Sequence, residues 1–247
     1  MLTEPRHAGT RRSEPAFFDD RARVSALRAW GAVSFGVFVL LAIVVAAKAS
    51  KGTDQSIDDS LNRFALRDTG ITDFFKAVTN AGSPTVTLGL GLLVAVAFYL
   101  LRMRTSAYFA AASVIGAYAI AYVAKKGVNR PRPHWDAAHT ISTESGASFP
   151  SGHATGTSTL AAVLILAAVP LLAGPTARRI AQTVLVLYVI VIVASRPVLG
   201  VHFPTDVLAG AALGTGWTLL CASVLRPWRD RVSNRWSARD PLRRTGR

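Results

Sequence analysis

Three short polar stretches interrupt an otherwise apolar chain, and their residue types suit phosphoryl chemistry. They are KKGVNRPRP (Lys125 to Pro133), FPSGHATG (Phe149 to Gly156) and SRPVLGVHFPTD (Ser195 to Asp206). Lys125, Arg132 and Arg196 are fixed positive charges. A guanidinium makes a planar, forked contact with phosphate oxygens, and an ammonium serves as a point charge. Pro131 and Pro133 stiffen the backbone that carries Arg132. Ser151 and Gly152 stand just before a predicted helix start. Backbone N–H groups there, with the serine hydroxyl, make an anion site, and glycine lets a ligand approach the backbone closely. His153 projects from the first turn of the same helix. His202 and Asp206 are four residues apart, and Pro204 suits the start of a helix, so Asp206 falls in its first turn. From there the carboxylate is predicted to reach back to one ring nitrogen of His202. That bond would fix the tautomer and leave the other nitrogen free as a nucleophile.

Two histidines, one carboxylate and three cations are enough for phosphoryl transfer. One histidine attacks phosphorus, the other protonates the leaving oxygen, and the cations hold the oxygens that carry charge in the transition state. Each piece also has a plainer reading. Lys125, Lys126 and Arg132 could be anchors at a span end, Ser151 only an N-cap, Asp206 only a favourable first-turn acid, and each histidine structural. A metal site built from Asp206, His153 and His202 is a further option, but the neighbouring arginines and lysine would repel a cation. The expectation is no metal and no cofactor.

These stretches need elements to bring them together. The chain has 247 residues, 51% of them hydrophobic and 17% charged, with a mean hydropathy of +0.33. The charged share of a soluble domain is nearer about 25%. The apolar residues fall into runs near the length that crosses a bilayer, at about Trp30–Ala47, Pro84–Leu101, Thr105–Ala124, Ala154–Leu172, Ile180–Ala194 and Val207–Leu225. The expected fold is all-α: a polytopic membrane bundle of six transmembrane helices. The division is a basic tail at 1–28, a six-helix membrane domain at 29–225 and a second basic tail at 226–247. The first run starts late and lacks a good cleavage site, so it reads as a span rather than a signal peptide.

The net charge of +14 invites a nucleic-acid reading. Membrane topology explains it better, because the arginines sit at the ends of apolar runs. Arg6 to Arg28, Arg102 and Arg104, Arg178 and Arg179, and Arg226 to Arg247 all fall on one side of a six-span layout. The positive-inside rule makes that side cytoplasmic. Both termini are then inside, and the three polar stretches face outside at the plasma membrane. Lone Cys221 sits in an apolar run and reads as a packed thiol. In the first outer loop, about Lys48–Val78, Ile57, Leu61 and Phe64 recur at helical spacing, as do Ile71, Phe74, Phe75 and Val78. One or two short amphipathic helices at the membrane surface are expected, acting as a packing lid more than as substrate contacts. Gly152 with Gly156, and Gly210 with Gly214, have the spacing of close helix packing. The Ala-, Val- and Arg-rich usage suits a high-GC bacterium, and oligomeric state is left open.

Taken together, K-x6-R-P at Lys125 to Pro133, P-S-G-H at Pro150 to His153 and S-R-x5-H-x3-D at Ser195 to Asp206 form one long, ordered signature. It resembles the type 2 phosphatidic acid phosphatase superfamily, which includes membrane lipid phosphatases and the soluble vanadium haloperoxidases. The resemblance implies that His202 forms a phosphohistidine, that Asp206 orients it, and that His153 is the general acid. Lys125, Arg132, Ser151, Gly152 and Arg196 would bind phosphate. A second R-P pair, Arg130-Pro131, would at most assist at the rim, and His134 and His139 carry no assigned role. The implied function is metal-independent hydrolysis of a lipid phosphate or diphosphate in the bilayer. Phosphatidic acid, phosphatidylglycerol phosphate, a polyprenyl diphosphate and a sphingoid phosphate all remain open. The alternatives are a phosphotransferase with the same site, a haloperoxidase, or a non-enzymatic lipid transporter or scaffold.

Overall fold

The computed structural model describes residues 16–227. Most of the two basic tails, 1–28 and 226–247, lies outside the described residues. Among the described residues, eight α-helices follow in order: α1 (Ala16–Ala46), α2 (Lys51–Leu66), α3 (Thr69–Thr79), α4 (Pro84–Leu100), α5 (Arg104–Val128), α6 (Gly152–Val163), α7 (Pro175–Val198) and α8 (Pro204–Leu225). Among the described residues, six helical segments are long and apolar enough to cross a membrane, as the sequence predicts.

α6 and α8 form the centre of the bundle. Their span windows are 61% and 56% buried, against 17% for α1 on the outside. The two pack at backbone contact because α8 presents glycine to α6. A Cβ on Gly210 would come within 2.6 Å of the Ser151 carbonyl oxygen, and one on Gly214 within 2.5 Å of that of Thr155. The expected small-residue packing is therefore real for Gly210 and Gly214, and it brings the α6 N-terminus, which carries His153, against the start of α8, which carries Asp206.

Helix ends follow local chemistry. Ser83 caps α4, with Pro84 at its first position, and Ser151 caps α6 by accepting from the Ala154 N–H at 3.5 Å. α5 ends where Asn129 turns left-handed at φ 43°, leaving Lys125 and Lys126 in the last turn beside the negative end of the helix.

Three boundaries differ from expectation. α7 starts earlier and ends later than 180–194, because Pro175 fits a first turn and the chain turns only at Gly200, φ 68°. Ser195 and Arg196 therefore lie in the last turn of a span rather than in a loop. The fourth span is helical only to Val163, then passes through a π turn at 164–168 and a 3-10 turn at 169–171 that contains Pro170. Finally, α3 and α4 are joined by a single 3-10 turn, Asn80–Gly82, and make one apolar segment from Thr69 to Leu100. Ile71 to Val78 lie on α3, a separate short helix as expected, whose apolar character runs on into the second span.

α2 is amphipathic as expected, but its faces point the other way from a simple apolar lid. Ile57 and Phe64 are exposed, while Asp54, Asp58 and Asn62, four residues apart in turn, are buried against α7 and α8. A helix beside lipid has no reason to hide apolar side chains. Its polar stripe goes inward, where partners are.

Candidate active site

A cavity of ≈ 280 Å³ opens at the end of the bundle where α5 ends, α6 begins, α7 ends and α8 begins. Lys125, Arg132, Gly152, His153 and His202 line it, with Pro84, Glu144 and Ser145. The remaining sequence-predicted residues stand behind this wall. Asp206 is buried beneath His202, Arg196 reaches the site through Glu144, and Ser151 turns its hydroxyl onto the helix it caps. The Ser151 N–H donates to the Asp206 carbonyl at 3.0 Å, which ties α6 to α8.

The His202 ring is 1% exposed. Its Nε2 lies 3.1 Å from Arg132 Nη1. A guanidinium only donates, so Nε2 accepts and the ring proton sits on Nδ1. Nδ1 faces Ser148 Oγ at 3.4 Å and Asp206 Oδ2 at 3.6 Å. The second distance is too long for a hydrogen bond. The predicted direct His202–Asp206 bond is therefore replaced by a bridge, in which the Ser148 hydroxyl donates to Asp206 Oδ2 and stands beside Nδ1. Burial pushes His202 down to about 4, with Asp206 opposing and Arg132 adding to the effect. The imidazole is neutral at neutral pH, as a nucleophile requires.

Asp206 is held from three sides: by Ser148, by the Phe203 N–H at 3.0 Å, and by Arg130 Nη1 at 2.8 Å. Arg130 is therefore no rim residue. Its guanidinium stacks 4.0 Å from the Phe203 ring centre, and its other nitrogen pairs with Asp54 at 2.7 Å. Asp54 also accepts from the Thr205 N–H at 3.2 Å and from the Thr205 hydroxyl at 2.7 Å. α2 is thus stapled onto the start of α8 through charge.

The cations are spoken for as well. Lys125 Nζ donates to the Ala147 carbonyl at 2.8 Å, and Arg132 donates to the carbonyls of Gly146 at 3.1 Å and Val201 at 2.8 Å. Arg196 Nη1 donates to Thr79 Oγ1 at 2.7 Å, while its Nε is buried without a protein partner. Glu144 bridges the two arginines, at 3.0 Å to Arg132 and in close contact with Arg196. Burial pushes the Glu144 carboxyl up, but Arg196 and Arg132 outweigh it and hold the group below the usual carboxylate range.

Glu144, Ser148 and Asp54 escaped the sequence reading. The available signals were one of two acids, Asp136 and Glu144, in the run between two motifs and an i, i+4, i+8 polar stripe, Asp54, Asp58 and Asn62, on a helix with an apolar face. His134 and His139 lie outside this cavity, and His139 pairs with Asp136 at 2.6 Å.

Asp58 is fully buried with both carboxylate oxygens unpartnered. Burial, helped by the charges of Asp206 and Asp54, raises it to about 8. In the unfolded chain its carboxyl ionises near 4, so between pH 4 and 8 the folded state binds the extra proton and stability falls as pH rises. Asp58→Asn removes that loss. The variant should match the wild type near pH 4 and melt about 4–8 °C higher at pH 8, as about 2 kcal/mol would give. Thermal melts at the two pH values in one detergent check this, and equal melting points at pH 8 would show that Asp58 ionises without cost.

Among proteins of known activity, decaprenylphosphoryl-5-phosphoribose phosphatase of Mycobacterium tuberculosis is 41% identical over 126 residues, which cover 51% of this chain and 63% of that protein. The same enzyme from Mycolicibacterium smegmatis is 44% identical over 95 residues, covering 38% of this chain and 46% of that one. The match thus spans less than two thirds of these relatives' length. In solved structures, the fold is similar to the transmembrane PAP2 type phosphatidylglycerolphosphate phosphatase from Bacillus subtilis, with a TM-score of 0.61, 21% identity, and coverage of 85% of this chain and 98% of that one. It is also similar to Aquifex aeolicus LpxE, with a TM-score of 0.54, 23% identity, and coverage of 68% and 93%. With the PAP2 superfamily model matching residues 106–230, the stretch that holds all three polar motifs, the chain belongs to the PAP2 superfamily.

Proposed function

We propose that this protein is an integral membrane phosphatase that removes a terminal phosphate from a lipid-linked substrate through a phosphohistidine, without a metal. The observation that carries the reading is the state of His202. Its unprotonated Nε2 faces a cavity ringed by cations, and its protonated Nδ1 faces the Ser148–Asp206 pair. In the first step Nε2 attacks phosphorus, the bond from phosphorus to the leaving oxygen breaks, and His153 gives that oxygen its proton. In the second, water attacks phosphorus, His153 takes the water's proton, and the P–N bond breaks to free inorganic phosphate. Lys125, Arg132 and Arg196 stabilise the phosphoryl oxygens, as a metal would elsewhere, and the first-turn N–H groups of Gly152 and His153 add to them.

The site sits at one end of the bundle, which suits a polar head group whose apolar tail lies along the helices. Arg102, Arg104, Arg178, Arg179 and Arg226 lie at the opposite end, and under the positive-inside rule this supports an outward-facing site with that end in the cytoplasm. The mycobacterial relatives are named for a phosphoribose carried on decaprenyl phosphate. Their 41% and 44% identity over the matched segments favours a phosphate monoester on a polyprenyl-linked sugar over a diacylglycerol phosphate.

The test is phosphate release in detergent with excess EDTA, across polyprenyl-linked phosphosugars, polyprenyl diphosphates, phosphatidic acid and phosphatidylglycerol phosphate. Release that survives EDTA, with acid-labile phosphate trapped on the protein during turnover, is expected. EDTA-sensitive release, or none from any lipid by folded protein, overturns the reading.

A further inference from the structure

The cavity already holds an anion of the chain's own making. The Glu144 carboxylate enters it from the loop between α5 and α6 and lies between Arg132 and Arg196, with one oxygen 3.9 Å from His202 Nε2. These are the partners and the reach expected of a bound phosphoryl group: two guanidiniums on separate oxygens and the nucleophile alongside. In this arrangement Arg132 Nη1 also covers Nε2 at 3.1 Å. No phosphorus can reach the nucleophile until the carboxylate leaves. It has somewhere to go, because Glu144 and Arg132 also line a second cavity of ≈ 300 Å³, bounded by Trp135 and Gly200. The Glu144 side chain is 31% exposed, and no helix holds its backbone.

We infer that Glu144 is an internal phosphate mimic that competes with substrate and product for the arginine pair and so speeds the release of inorganic phosphate. This rests on the reading that the cavity binds phosphate. The physical need is clear. Three cations and a helix N-terminus hold a phosphate dianion as well after hydrolysis as before it, and such uniform binding slows release without helping chemistry. A tethered carboxylate that re-enters the cradle offsets that affinity equally for every ligand that must displace it. The alternative is a purely structural brace that keeps Arg132 and Arg196 apart. The two differ in sign, since a brace strengthens phosphate binding and a competitor weakens it.

The experiment compares the full-length wild type with Glu144→Gln and Glu144→Ala in the same detergent. It reads inorganic phosphate binding by calorimetry and, separately, KM and kcat for the best lipid substrate. The phosphate dissociation constant and KM are both expected to fall roughly tenfold, the factor that about 1.4 kcal/mol of competition produces. The kcat should stay level or drop as release becomes slower. Glu144→Asp, which keeps the charge on a shorter arm, should lie between. An unchanged or raised dissociation constant in both Gln and Ala variants overturns the inference and leaves the phosphatase reading standing, provided the wild type releases phosphate. If neither wild type nor variants bind phosphate or release it, the phosphatase reading falls and this inference with it.

Discussion

His202→Ala is expected to abolish phosphate release, by about 10⁴-fold or more, while the protein still folds. Removing the nucleophile of a covalent mechanism leaves only binding and electrostatics, and losses of that order follow in other hydrolases. The fold should survive because the lost ring is neutral, with its proton affinity pushed down to about 4 by burial. No charge is left stranded, since Asp206 keeps Arg130, the Phe203 N–H and Ser148. The cavity left behind should cost about 2 kcal/mol. Phosphate release, read beside a thermal melt and a gel-filtration profile, separates lost chemistry from lost structure. The same low proton affinity places the acid limb of kcat/KM owed to free His202 near pH 4 rather than near the ordinary histidine value. It becomes visible with a substrate whose phosphate does not titrate in that range. Ordinary turnover by folded His202→Ala would end the phosphohistidine mechanism, whatever lipid proves to be the substrate.

The sequence was most informative where geometry is short-range. Lys125, Gly152, His153 and His202 line one cavity because motif spacing fixed each to the end of a span, and span order put those ends together. What periodicity could not supply was contact between elements far apart in the chain. Arg130 looked redundant beside Arg132 because both precede proline. Only the docking of α2 against α8 gives Arg130 its two carboxylates. Ser148 looked like one of several serines in TESGASFPSG. It became distinct because its N–H donates to the Arg130 carbonyl at 2.8 Å, which brings its hydroxyl to Asp206. The faces of α2 were misleading for a related reason. An apolar stripe marks the core side of a helix in water, but beside lipid it marks the outside, so the informative residues were Asp54, Asp58 and Asn62.

The second large effect should come from Arg130→Gln. The guanidinium joins Asp54 at 2.7 Å and Asp206 at 2.8 Å, and all three side chains are nearly out of solvent. Breaking such a cluster from its positive side leaves two buried carboxylates facing each other without a counter-charge. About 3–5 kcal/mol of destabilisation is expected, well above the loss from trading the whole cluster for neutral groups. The chemistry should suffer too. Asp206 would no longer be held at Oδ1, and the Ser148 bridge that sets the His202 tautomer would loosen, so kcat should fall about 100-fold with KM little changed. Arg130→Lys keeps the charge but lacks the fork that spans both carboxylates, and it should recover only part of the loss. Asp54→Asn in the Arg130→Gln background removes one of the two stranded charges. Because the residues touch, the effects should not add, and the double variant should melt above Arg130→Gln alone. Melting points and kcat for the four proteins decide the matter. Wild-type kcat in Arg130→Gln would mean that Asp206 holds His202 unaided and that α2 only covers the bundle. A lowered kcat restored by Asp54→Asn would mean that the stranded charge, rather than the missing clamp, disables the site.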